Sequence, residues 1–119
     1  MIRVAEYSVD VVFAAMETTG KAVLPDGLTF RRRSGRLVLF KAKGTTCVTC
    51  GIEGNVFIME THSADITPHL NLYALNDKGD RVLMTKDHII PKSKGGPNTL
   101  ANYNTMCMPC NSKKADNLV

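Results

Sequence analysis

Four cysteines stand in this 119-residue chain as two pairs, Cys47-Val48-Thr49-Cys50 and Cys107-Met108-Pro109-Cys110. Each pair lets one tight turn present two thiolates, and four thiolates at about 2.3 Å satisfy a soft divalent ion in a closed tetrahedral site. Structural Zn²⁺ on Cys47, Cys50, Cys107 and Cys110 is therefore expected. Two disulfides would need an oxidising compartment, and a redox pair would need only one CxxC in a βαβ setting. The stretch between Cys50 and Cys107 exceeds the usual ribbon spacing, so it must hold a folded insert.

A second group of residues could do chemistry on a phosphodiester. Cleavage requires a nucleophile made from water and a means of taking up charge on the leaving oxygen. A neutral imidazole such as that of His88 can accept a proton from water near neutral pH. Asp87 precedes it, and neighbours in a strand face opposite sides. A strand-end twist or the following loop must therefore bring the two round one phosphate. Structural roles compete for each residue: His88 as a hydrogen-bonded core histidine, Asp87 as a turn or cap residue, and Asn111 as a helix cap. Gly95, Gly96 and Pro97 are turn residues first, small enough to admit a nucleic-acid backbone.

The ordered set Asp87-His88-Ile89-Ile90-Pro91, Gly95-Gly96, Asn102 and Cys107-Met108-Pro109-Cys110-Asn111-Ser112-Lys113-Lys114, together with Cys47 and Cys50, resembles the HNH endonuclease family over residues 47–116. The resemblance implies a ββα-metal core of the His-Me finger type, with His88 as general base. It assigns Asp87 and Asn111 to one catalytic metal ion. Asn102, at the family's central asparagine, would tie the loop to the hairpin and orient the histidine. An oxygen-rich, partly hydrated pair of ligands suits Mg²⁺ or Mn²⁺. A small phage or mobile-element origin is a family expectation. His62 and His69 lie outside the matching residues and are expected to be bland.

These residues need a frame, and the local patterns suggest one. Residues 8–19 fit a helix with Ser8 as N-cap and Gly20 as stop, although Val9, Val11 and Val12 make a strand nearly as credible. Pro25-Asp26-Gly27 signals a turn, and 28–30 and 37–40 read as short strands of a hairpin flanking the basic stretch 31–36. Residues 55–60 form a β-rich run before a polar loop over 63–68. Two antiparallel strands, 70–75 and 81–90, flank the turn Asn76-Asp77-Lys78-Gly79. Residues 92–98 read as loop, 99–106 as a short helix, and 111–118 as a second helix beginning where the cysteine knuckle ends.

Composition bounds the rest. The length suits about one domain and a modest core. No apolar run approaches the ~20 residues of a membrane span, and nothing at the start reads as a signal peptide, so no membrane partner and a cytoplasmic location are expected. The formal charge is +4, with cations clustered at Arg31, Arg32, Arg33, Arg36, Lys41 and Lys43, at Lys92 and Lys94, and at Lys113 and Lys114. Clustered cations suit a polyanion, because neutralising phosphates releases counterions, although a solvated charged face has the same composition. Arg31, Arg32, Arg33, Lys92, Lys94, Lys113 and Lys114 are the candidate contacts to nucleic acid, with double-stranded DNA as the expected partner.

The expected architecture is α+β: an N-terminal helix and hairpin extension, 1–46, on a ββα-metal nuclease domain, 47–119, carrying a structural zinc knuckle. The expected activity is metal-dependent hydrolysis of DNA. A zinc-stapled, non-catalytic nucleic-acid-binding module is the alternative, and a redox or zinc-storage protein would leave Asp87 and His88 unexplained.

Overall fold

A computed structural model of the chain describes residues 2–115. Its frame is a five-stranded antiparallel sheet ordered β1-β4-β5-β6-β7, formed by β1 (Ile2–Ser8), β4 (Val56–Thr61), β5 (His69–Leu75), β6 (Arg81–His88) and β7 (Tyr103–Cys107). A small hairpin, β2 (Ala22–Val23) with β3 (Thr29–Phe30), and three helices complete it: α1 (Val9–Met16), α2 (Gly35–Lys43) and α3 (Met108–Lys114). The architecture is mixed helix and sheet. One hydrophobic cluster joins residues on both sides of position 46, including Tyr7, Val12, Leu39, Phe40, Phe57, Leu72, Met84 and Met106.

The expected helix near the start forms with Ser8 as its cap, the Ser8 hydroxyl accepting from the Val11 N–H at 3.2 Å. Its valines do not make a strand, because the edge position beside β4 is filled by residues 2–8, to which the sequence reading gave no element. The strands read at 55–60, 70–75 and 81–90 become β4, β5 and β6, each within two residues at either end.

Three expectations are corrected. Residues 37–40 are helical rather than a strand. Leu37 and Phe40, one turn apart, are both buried. Lys41 and Lys43 in the last turn complement the helix dipole, and Gly44 at φ 97° ends the helix in a conformation that favours glycine. β3 therefore pairs with Ala22–Val23 across Pro25-Asp26-Gly27, not with 37–40. Residues 99–106 are not a helix: only Leu100–Asn102 make a 3-10 turn, and Tyr103–Cys107 enter the sheet beside β6. Aromatic and β-branched residues such as Tyr103 and Thr105 favour that pairing over the helix suggested locally by Leu100 and Ala101. α3 begins at Met108, before Asn111, so of the second cysteine pair Cys107 stands at the N-cap and Cys110 in the first turn. Residues 116–118 of the expected C-terminal helix lie outside the described residues.

Candidate active site and metal centre

β6, β7 and α3 position the chemistry. In the β6–β7 ladder His88 stands opposite Tyr103 and Asp87 opposite Asn104. Alternation along β6 then sends Thr85 and Asp87 to one face and Lys86 and His88 to the other.

α3 covers the first face. The Asn111 side-chain N–H donates to Thr85 Oγ1 at 2.8 Å, and one turn further the Lys114 ammonium donates to Asp87 Oδ2 at 2.9 Å. Asp87 and Lys114 are both buried, 5% and 8% exposed. Lys114 also donates to the backbone carbonyls of His88, at 2.5 Å, and Ile89, at 3.4 Å. Its expected place among surface phosphate contacts is thus corrected: burial leaves this ammonium bound to protein acceptors. The seam between β6 and α3 nonetheless keeps free donors for a cation. Asp87 Oδ1 and the Asn111 side-chain oxygen have no hydrogen-bond partner among the described residues, while no buried side-chain polar atom there is left unpartnered. Both are hard oxygen donors, a set that fits Mg²⁺ or Mn²⁺.

The opposite face holds His88, half-buried at the end of its strand. Its ring meets Tyr103 edge-on, with centroids 5.0 Å apart, and Lys86 Nζ lies 4.3 Å from the Tyr103 centroid. His88 Nε2 is 2.9 Å from Asn98 Oδ1. An amide oxygen only accepts, so Nε2 donates in this contact, and in a neutral ring that leaves the lone pair on Nδ1.

Asn102 is hydrogen-bonded to both ends of the loop after β6. Its side-chain oxygen accepts from the Ile90 N–H at 2.9 Å, and its side-chain nitrogen donates to the carbonyls of Ile90 at 3.1 Å and Pro97 at 3.0 Å. The backbone carbonyl of Asn102 also accepts from Ile89 N–H. Asn102 closes the loop that carries Asn98. Gly96 is needed inside this loop, since a Cβ there would stand 1.8 Å from the Ile90 carbonyl oxygen. Its small size accommodates the chain's own backbone.

The cysteines meet as expected. One sulfur from each of Cys47, Cys50, Cys107 and Cys110 lies within 4.8 Å of the others, and Cys50 and Cys107 sulfurs are 3.7 Å apart. Sulfurs about 2.3 Å from one tetrahedral ion stand about 3.8 Å from each other, so the cluster fits zinc. All four are free thiols. Burial raises the Cys47 thiol, but backbone hydrogen bonds from Cys50, Cys107 and Thr49 outweigh it and bring it to about 6. Cys110 is pushed up to about 12, first by its hydrogen bond to Cys107 and then by burial. Burial likewise raises the Cys107 thiol, and a divalent cation would offset the cost of ionising these sulfurs.

The remaining basic candidates divide. Arg31, Arg33, Lys92, Lys94 and Lys113 are exposed. Arg32 is spent internally, its guanidinium donating to the carbonyls of Thr18 and Gly20 beyond α1, which corrects its assignment to nucleic acid. Arg36 and Lys43 are likewise engaged, with Asn71 Oδ1 at 2.8 Å and the Tyr103 carbonyl at 2.7 Å. His62 and His69 join no metal-binding group among the described residues. Asn98, Thr85 and Tyr103 were missed by the sequence reading. Thr85 had a signal in its two-residue offset from Asp87, whereas nothing local marked Asn98.

No helix among the described residues is long and apolar enough to cross a membrane. The chain matches none of the curated proteins and none of the solved structures with which it was compared. Residues 75–119 match the family model described as HNH endonuclease, a span that includes Asp87, His88, Asn102, the second cysteine pair and Asn111. The match supports a nuclease, and it places residues 75–119 in the HNH endonuclease family.

Proposed function

We propose that the chain is a metal-dependent DNA endonuclease whose ββα-metal core is β6, β7 and α3, with residues 1–46 an extension on the nuclease domain 47–119. The observation that carries this is the end of β6, where His88 faces one side with Nδ1 open and Asp87 faces the other beside Asn111. A phosphate of double-stranded DNA seated over that strand end is reached from both faces. His88 takes the proton of the attacking water at Nδ1, and Asn98 holds the ring in that tautomer. Asn102 fixes the loop that brings Asn98 there. Asp87 and Asn111 would hold Mg²⁺ or Mn²⁺, which when bound supplies charge stabilisation at the phosphate and the leaving oxygen. Lys92, Lys94 and Lys113, exposed around this end, contact neighbouring phosphates. The four cysteines would hold a structural zinc ion beside the start of α3.

Purified protein with Mg²⁺ or Mn²⁺ is expected to nick plasmid DNA, while His88→Ala loses at least roughly a hundredfold in rate, the low end for a removed general base. Equal rates for the two proteins would end this mechanism. The buried Lys114–Asp87 pair favours one other reading, a zinc-stapled binding module in which Asp87 is structural. That reading expects DNA binding without cleavage under any divalent cation.

A further inference from the structure

A cavity of about 640 Å³ opens between the loop after β3, the start of α2 and the loop entering β5. Its floor is apolar, with Phe30, Leu37 and Leu70, and its rim carries Lys21, Arg31 and Arg33, all exposed. Among the described residues no carboxylate lines it. The volume falls within the roughly 300–1,000 Å³ of small-ligand sites, ample for one base and its sugar. Side-chain contacts connect its edge with His88. A Cβ on Gly35, at its edge, would stand 3.1 Å from Lys86 Nζ, and Lys86 rests on the Tyr103 ring that meets His88.

We infer that this cavity receives an unpaired nucleotide of the substrate, a few positions along the strand from the phosphate at His88. The preferred substrate is then duplex interrupted by a bulge, flap or single-stranded tail. This rests on the nuclease reading above and narrows its substrate. Continuous duplex keeps its bases stacked and offers a basic surface only phosphates. An apolar floor with an aromatic ring, below a cationic rim, instead favours a base already out of the stack, with its flanking phosphates on Lys21, Arg31 and Arg33.

The test uses full-length His88→Ala protein without added divalent cation. Fluorescence anisotropy compares three labelled DNAs of equal length: blunt duplex, the same duplex with one unpaired nucleotide, and the latter with an abasic spacer at that position. The unpaired nucleotide is expected to tighten binding at least roughly fivefold, the low end for stacking one base. The abasic spacer removes that gain, and so does adding Phe30→Ala. Adding Arg31→Ala and Arg33→Ala, at exposed positions that leave folding intact, weakens binding of all three DNAs and lowers its salt dependence. Equal affinity for the base and abasic probes, or no binding of any probe, overturns the inference. Wild-type cleavage of blunt duplex that is lost in His88→Ala upholds the nuclease reading even then. Base-dependent binding by a wild-type protein that cuts nothing keeps the cavity and removes the nuclease.

Discussion

At the scale of single residues, Lys114 carries more than its composition suggests. It joins α3 to the end of β6 through one carboxylate and two carbonyls, in a place without solvent to replace it. Removing one partner of a buried ion pair leaves the other charge uncompensated, typically at a cost of about 3–5 kcal/mol. Lys114→Met is therefore expected to destabilise the fold by about 3 kcal/mol in urea unfolding, whereas Lys113→Met, one position away and exposed, changes it by less than about 0.5 kcal/mol. Similar stabilities for the two variants would show that the pair does not hold the seam. The identities of Asp87, His88, Asn102 and Asn111 were legible in the sequence because each is a chemical type at a fixed place in an ordered motif. Lys114's destination was not, because a lysine in a basic run reads as surface until helix spacing sets it one turn beyond Asn111 and above Asp87. Arg32 misleads in the same way: only the fold reveals carbonyls within its reach.

Between residues and the whole molecule, the elements around the cysteine cluster depend on one another. Cys47 follows α2, Cys107 ends β7 and Cys110 sits in α3, so a single ion there joins the turn after α2 to the β7–α3 junction, distant from it in sequence. The binding energy of such a site is largely folding energy. One tightly held zinc ion per chain is expected by elemental analysis of protein prepared without chelators, and Cys107→Ser is expected to lose its cooperative thermal transition. A folded Cys107→Ser protein, or native protein free of zinc, would contradict this. Runs rich in strand-forming residues and bounded by turn residues, β4 to β6, were readable from the sequence. α2 and β7 were not, since Leu37-Val38-Leu39-Phe40 satisfies both periods and Tyr103 to Cys107 becomes a strand only because β6 offers it a ladder.

Across the whole molecule, tyrosine–carboxylate hydrogen bonds link the pieces. Tyr7 of β1 donates to Asp26 in the hairpin turn at 2.6 Å, and Tyr73 of β5 donates to Glu60 of β4 at 2.8 Å. Burial, then the bond to Glu60, pushes Tyr73 up to about 12 from its ordinary 10.0, and Tyr7 is raised still further by burial and Asp26. A raised folded value means that the stabilisation is complete below pH 10 and is lost as pH rises through about 12. Thermal midpoints are thus expected to fall across that window, with a shallower fall in Tyr73→Phe. Parallel curves for the two proteins would rule out the Tyr73 contribution. None of these long-range partners could be read from the sequence, where Tyr7 and Asp26 share no local pattern.

The seam between β6 and α3 already contains its own counter-ion. Because Lys114 balances Asp87 in the folded chain, that region is electrically quiet and needs no cation to assemble, in contrast to the thiolate cluster a few residues away. Two metals on one short helix would then stand in opposite relation to folding, one a builder and the other a visitor. The visitor would arrive at a carboxylate whose charge is half claimed, and its hold would depend on what the incoming phosphate adds.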